Sequence, residues 1–268
     1  MSRIEACFAE LKAAQKTALV PFVTAGDPHP DQTVAIMHAL ADAGADVIEL
    51  GIPFSDPMAD GPTIQLADER ALEHDVSLTD VINMVATFRQ DNSTTPVVLM
   101  GYLNPVEVMG YQAFADKAAE AGVDGVLTVD LPPEAATQLN AVLAAKGVDA
   151  IFLIAPTTTE SRISKIAAAA KGYLYYVSLK GITGAGHLDA DDVSSKLETI
   201  RKITDLPIAV GFGIKDPETA GTVAKISDGV VVGSALVNIV AENQDNPEQL
   251  IKEISGFTQS LRNGIDNA

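Results

Sequence analysis

The sequence has a single cysteine, Cys7, among 268 residues. An intramolecular disulfide is therefore excluded, nothing marks an oxidising compartment, and a cytoplasmic protein is expected. Basic residues are scarce: 18 Lys and Arg stand against 36 Asp and Glu, a net charge of −18. That balance argues against an extended footprint for nucleic acid or an anionic membrane. Long apolar runs are also missing. The stretch 230–241 is broken by Gly233, Ser234 and Asn238, and no run reaches the ~20 residues that span a bilayer. Residues 1–16 alternate apolar and charged positions at helical spacing, without an apolar centre of signal-peptide length. The four histidines, His29, His38, His74 and His187, are scattered. No His–carboxylate cluster or EF-hand spacing joins them, so no metal site is expected. No GxGxxG follows the first apolar run, which argues against a dinucleotide-binding sheet. No Pro/Gly/Ser-rich linker divides the chain. What is present is 47% hydrophobic and 20% charged residues, an ordinary globular mix. The chain is long enough to bury a large core without staples, and one domain over 1–268 is expected.

A short repeat organises the chain. Ala43-Gly44-Ala45-Asp46, Ala121-Gly122-Val123-Asp124 and Lys146-Gly147-Val148-Asp149 each precede an apolar run, and Ile226-Ser227-Asp228-Gly229 is a degenerate copy. A glycine there ends a helix in the left-handed conformation, so each copy reads as a helix stop followed by a strand. Eight Val/Ile-rich runs, at 19–24, 47–51, 97–100, 125–129, 150–154, 174–178, 208–210 and 229–232, read as parallel strands covered on both sides. Helical patterns fall at 33–43, 78–89, 113–121, 134–146, 161–170, 193–202, 217–224, 235–240 and 247–261, with an extra N-terminal helix over 2–16. Eight βα units in a chain of this length predict a TIM (βα)8 barrel, in which function sits at the C-terminal ends of the strands. Two connections exceed simple turns: 53–75 after the second strand and the glycine-rich 179–192 after the sixth.

Candidate residues cluster at those strand ends. Glu49 is a charge in an apolar strand, and Val47, Glu49 and Gly51 share one face. If that face points inward, burial raises the carboxyl pKa and suits it to acid/base work. If it points outward, Glu49 merely bonds a neighbouring backbone. In the next loop Asp56 and Asp60 are candidates for a second carboxylate, or for turn formers in Asp-Pro and Asp-Gly dipeptides. Gly211-Phe212-Gly213-Ile214 and Gly233-Ser234-Ala235 close the last two strands, where barrels often bind phosphate through backbone N–H groups and a helix N-terminus. Gly184 in the sixth connection adds another amide. Neither glycine segment at the last two strands contains Lys or Arg, so such a site relies on backbone dipoles. Aromatic residues make up only 5% of the chain, yet Phe22, Tyr102, Tyr175 and Phe212 lie beside strand ends. They line either a pocket for a flat apolar group or the core.

Together these residues resemble the tryptophan synthase alpha subunit family over essentially the whole chain. The resemblance runs from Phe22-Val23-Thr24-Ala25-Gly26-Asp27-Pro28 through Glu49-Leu50-Gly51-Ile52-Pro53-Phe54-Ser55-Asp56-Pro57 and Ala59-Asp60-Gly61-Pro62. It continues through Met100-Gly101-Tyr102-Leu103-Asn104-Pro105, Asp130-Leu131-Pro132-Pro133-Glu134 and the two glycine segments. The segment from Glu49 is highly specific, whereas the glycine motifs alone are not. The resemblance implies retro-aldol cleavage of indole-3-glycerol phosphate to indole and glyceraldehyde 3-phosphate. It implies Glu49 as general acid/base, Asp60 as the carboxylate that stabilises the positive indolenine, and Tyr175 as a supporting tyrosine. Phe22, Tyr102, Leu127 and Phe212 match the indole pocket, and Gly184, Gly213, Gly233 and Ser234 the phosphate site. Thr183 matches a residue that orients Asp60 when the sixth connection closes.

The family's partner is a beta subunit carrying pyridoxal phosphate, in a complex of two alpha and two beta chains. No cofactor is expected in this chain. Pro53–Asp56, Asn104 and Pro132–Pro133 lie in segments resembling partner-facing loops. One position departs: some members have arginine where this sequence has Leu179, so any loop-closing contact of that arginine is absent here. Two rival readings are weighed against this one. Another phosphate-binding barrel lyase or isomerase has no need of the Glu49–Pro62 segment. A non-catalytic subunit that only activates its partner has no need of both Glu49 and Asp60.

Overall fold

The computed structural model describes residues 2–177, 190–211 and 213–268 of the chain. The apolar, β-branched runs form eight strands: β1 (Ala18–Thr24), β2 (Ile48–Gly51), β3 (Val97–Gly101), β4 (Gly125–Thr128), β5 (Asp149–Ile154), β6 (Leu174–Val177), β7 (Ile208–Gly211) and β8 (Gly229–Val232). All pair in parallel and in chain order, and β8 returns to β1, so the sheet is a closed barrel. The helices are α1 (Arg3–Ala13), α2 (Pro30–Asp42), α3 (Pro62–Leu72), α4 (Leu78–Phe88), α5 (Leu103–Met109), α6 (Tyr111–Ala121), α7 (Thr137–Ala145), α8 (Glu160–Ala169), α9 (Ala190–Arg201), α10 (Pro217–Ala224), α11 (Ser234–Glu242) and α12 (Pro247–Asp266). The expected TIM barrel is the architecture observed. Among the described residues no helix is long and apolar enough to cross a membrane.

Two apolar cores follow from the two faces of the strands. One lies between the sheet and its helices and includes Leu50, Leu99 and Phe114. The other fills the barrel interior with Val20, Val47, Val98, Leu127, Ile151 and Val231, among others. The N-terminal helix closes the lower end of this second core. Its Ile4, Phe8 and Leu11 are buried there, and the Phe8 and Tyr173 rings lie 5.6 Å apart.

The repeat does more than stop helices. Gly44, Gly122 and Gly147 do take positive φ, at 102°, 83° and 73°. The aspartates that follow tie neighbouring strands together. Asp46, Asp124 and Asp228 accept from the backbone N–H of Leu19, Val97 and Ile208 at 2.8, 2.8 and 2.9 Å. Each also meets an arginine: Arg262 at 2.9 Å, Arg89 at 2.6 Å and Arg201 at 3.3 Å. Asp149 accepts instead from Ser2, the N-cap of α1, at 2.6 Å, which fastens the helical plug to the barrel.

Some expectations shift. Most of the long connection after β2 is helical, with only residues 52–61 and the turn from Glu73 irregular, because Pro62 after Gly61 starts α3. Its apolar stripe is short and carries Asp68, which hid the helix. The short α5 was also not foreseen. The helix expected over 134–146 covers Thr137–Ala145, since its N-cap Ala136 has no side chain to cap it. The long connection after β6 falls on residues 178–189, outside the described residues.

Replacing Asp124 by alanine leaves the Arg89 guanidinium, whose side chain is 10% exposed, with carbonyl acceptors but without its carboxylate. The expected loss is ~3–5 kcal/mol in denaturant unfolding. Asp228→Ala, where both partners are 42% exposed, is expected to lose only ~1 kcal/mol.

Candidate active site

The alternation of β2 turns Glu49 into the barrel. It sits beside Phe22 and Val98 in register and is wholly buried. The Tyr173 hydroxyl donates to its Oε1 at 2.6 Å, and its Oε2 has no hydrogen-bond partner. Burial disfavours the ionised form and pushes Glu49 up to about 8, with the Tyr173 bond acting in the opposite direction. A carboxyl so poised can give and take a proton near neutral pH.

Asp60 is half-buried at the end of the β2–α3 loop. Its Oδ2 accepts from the Tyr102 hydroxyl at 2.7 Å, and that hydroxyl accepts from the Ala59 N–H at 2.9 Å. Burial raises its pKa above the usual aspartate value, and the Tyr102 bond offsets part of the rise. Asp56 is exposed and bonded to Ser55, as a turn residue would be. Tyr175 is buried, and burial together with Glu49 and Asp60 holds its phenol well above the usual tyrosine value. It is a protonated hydroxyl in the field of both acids.

Two glycines seat the aromatic rings. A Cβ on Gly211 would come within 2.8 Å of Tyr175 ring carbons, and one on Gly51 within 2.6 Å of the Phe22 ring. Phe22, Tyr102 and Asp60 line one small cavity with Met100 and Ile64. Leu127 is wholly buried in the barrel interior, in one apolar cluster with Tyr173 and Tyr175. Across the mouth, Gly211 pairs with Val231, and Gly213 and Gly233 follow two residues beyond each. Gly233 is the N-cap of α11 and no side chain caps that helix. The first-turn N–H groups and the exposed Ser234 hydroxyl are thus available to an anion. Thr183, Gly184 and Phe212 lie outside the described residues. Among the described residues no group of three or more His, Cys, Asp or Glu could hold a metal ion. A larger cavity lies at the opposite end beside α1, but its charges are largely paired, Arg201 with Asp228 and Lys16 with Asp266.

A buried acid on an inward strand face, a second carboxylate held by a tyrosine and an uncapped helix at the last strand all belong to the C-terminal half of the barrel. The family model for the tryptophan synthase alpha chain matches residues 8–266. The chain belongs to the tryptophan synthase alpha chain family. A relative so named from Thioalkalivibrio sulfidiphilus is 60% identical, covering 99% of this chain and 100% of its own. One from Methylococcus capsulatus is 57% identical with the same coverage. The crystal structure of tryptophan synthase subunit alpha from Legionella pneumophila aligns with a TM-score of 0.94 and 47% identity over 100% of both chains.

Reading motifs alone missed Tyr173, the one donor to Glu49 among the described residues. Its signal was available: it precedes Tyr175 by two residues, so both face the barrel interior.

The raised Glu49 pKa has a stability consequence. The folded protein keeps this proton up to about pH 8, whereas the unfolded chain releases it near the ordinary glutamate value of 4.5. Stability from this group is full below pH 4.5 and lost as pH rises through 8. Glu49→Gln is therefore expected to unfold at higher denaturant than the parent at pH 9, by a few kcal/mol. The gap should close on titration to acid. Parallel pH dependences of the two proteins would contradict the buried, protonated state.

Proposed function

We propose that Glu49 is the general acid/base of the family's reaction and Asp60 the carboxylate that steadies its cationic intermediate. The protein is a lyase of tryptophan biosynthesis that cleaves indole-3-glycerol phosphate to indole and glyceraldehyde 3-phosphate. A proton is added at indole C3 and one is lost from the glycerol hydroxyl next to the ring. The bond between C3 and that carbon then breaks, its electron pair returns to the ring, and the hydroxyl carbon becomes the aldehyde. The chemistry asks for one group that can hold a proton near neutrality, and Glu49, buried with a single donor and a free oxygen, supports that role. While C3 is tetrahedral the ring nitrogen is positive and its N–H needs an anion. Asp60, held by Tyr102 and lining a small cavity with Phe22, supports that role. Tyr175 supports both as a neutral hydroxyl. Gly213, Gly233 and Ser234 are read as holding the phosphate through backbone N–H groups and a hydroxyl, together with Gly184.

The indole passes to a beta subunit for tryptophan synthesis. The exposed Met58 and Val108, at 80% and 82%, lie in the β2–α3 loop and on α5. They support docking of that subunit over the C-terminal rim, near Pro53–Asp56 and Asn104. The reading assigns pyridoxal phosphate to the beta subunit and no cofactor to this chain. A cytoplasmic setting is read from the single cysteine.

Supplied with indole-3-glycerol phosphate, the chain is expected to release indole, faster with a beta subunit present. Glu49→Gln is expected to fold and bind substrate but lose nearly all cleavage, and Asp60→Asn to be severely impaired. Near-normal indole release by the first variant would sink the acid/base assignment. Survival of activity in the second, with only stability altered, would return Asp60 to the status of a turn residue.

A further inference from the structure

The Asp60 carboxylate is carried by a loop, and two side chains outside that loop reach in to hold it. Tyr102, just after β3, bonds the tip of the carboxylate. The second is Gln65 of α3, whose Nε2 donates to the backbone carbonyl of Asp60 at 2.8 Å. That carbonyl belongs to the peptide joining Asp60 to Gly61, the N-cap of α3. Gly61 has φ −75° and ψ 166°, ordinary extended values, and a Cβ there would meet nothing within 4 Å. No packing around a side chain confines this joint, and a glycine turns more freely than any other residue. The Gln65 bond spans it. On the other side of the peptide unit, the Asp60 N–H donates to the Pro57 carbonyl at 3.0 Å.

Gln65 stands on a helix with little freedom of its own. Ala67 and Ala71 of α3 are wholly buried. Arg70 meets both oxygens of the buried Asp27 at 2.7 and 2.9 Å, which pins the helix to the loop after β1. The α3 side chains that line the small cavity with Asp60 are Ile64 and Asp68, and Gln65 is not one of them. Nor does Gln65 cap its helix. The orphan groups at a helix N-terminus are N–H donors in need of acceptors, whereas Gln65 brings a donor to a carbonyl outside the helix. The bond serves the loop that bears Asp60.

We propose that Gln65 is a positioning residue for the cleavage: its side-chain amide holds the Asp60 backbone while Tyr102 holds the carboxylate, so that the loop presents Asp60 to the reacting ring in one place. The inference rests on the reading of Asp60 given above. A carboxylate is placed by its backbone and by two side-chain torsions. Tyr102 restrains the torsions through Oδ2, and Gln65 restrains the backbone across the glycine joint. Rotation of the freed peptide would carry the carboxylate away from a ring N–H that turns positive during the reaction. A misplacement of about 1 Å at such a group costs rate more than affinity, because the charge it meets develops only on the way to cleavage.

The test uses the full chain with a beta subunit and indole-3-glycerol phosphate, following indole. Gln65→Met keeps an unbranched side chain of similar length without an N–H to donate, and Gln65→Lys restores a donor. Gln65→Met is expected to lose about tenfold in kcat, with KM changed less than about twofold, because Asp60 is misplaced while the phosphate site is untouched. Gln65→Lys is expected to recover most of that loss. In an Asp60→Asn background, Gln65→Met is expected to cost less than about twofold more, since the carboxylate it places is already gone. A brace that only stabilised the fold would lower the denaturant midpoint and leave kcat alone, or cost the same factor with and without that carboxylate. Should Gln65→Met fail to fold, Gln65→Glu, of the same shape with an acceptor in place of the donor, takes its place. Unchanged kcat in the variants lacking the donor overturns the proposal, as do equal losses in Gln65→Met and Gln65→Lys or an undiminished loss in the Asp60→Asn background. Asp60→Asn alone separates the two claims. If that variant stays fully active, the Asp60 reading itself fails. If it is impaired while Gln65→Met is unaffected, only the positioning role falls.

Discussion

A carboxyl group inside an apolar barrel, with one oxygen bonded and the other unpartnered, is the constraint around which the rest is arranged. Glu49 cannot ionise cheaply there, because among the described residues no cation and only one hydroxyl meets it. The hydroxyl belongs to Tyr173, and Tyr173 is held from below by Phe8 of the N-terminal helix. A plug at the stable end of the barrel thus bears on the proton affinity of an acid nearer the other end. The same burial that destabilises the charged form is what equips the residue for proton transfer near neutral pH.

The two ends of the barrel use aspartate for opposite purposes. At the lower end Asp46, Asp124 and Asp228 are matched by arginines and strand N–H groups, so their charge is spent on register and closure. At the upper end Asp60 is met by a neutral hydroxyl and Asp68 is 4% exposed beside it, with no cation paired to either among the described residues. Unmatched acids are costly in a fold and useful in a site. The net charge of −18 is thus no obstacle to a phosphorylated substrate. The anion is to be met locally, by N–H groups at the start of α11 rather than by side-chain cations.

The barrel was legible because its strands are apolar runs separated by helical stripes and a repeated glycine. Glu49 was legible as a charge on an apolar strand, though not which way it faced. The α3 helix was not, since an acid interrupts its short stripe and prolines crowd its start. Tyr173 was passed over because a tyrosine in a strand reads as packing until its hydroxyl is given a partner. Leu127, given to the pocket by resemblance, lies wholly buried in the barrel interior, as Glu49 does. The aspartates of the repeat read as part of a helix stop. Their bonds reach a strand some twenty residues or more away in the chain, a distance that local pattern does not see.

The sequence by itself determined the closed parallel barrel, its reading direction and the residue types at its mouth. These follow from periodicity, from glycine at helix ends and from a run of specific residues around Glu49, all of them local properties. Tertiary structure alone decided that Glu49 faces inward, that Tyr173 and Phe8 stand beneath it, and that Tyr102 rather than a cation holds Asp60. It also decided that Asp68 belongs with these acids. Proton affinity is set by what surrounds a group in space, and here those surroundings come from β1, β2, the start of β6, α3, α5 and α1, which only closure of the barrel brings together.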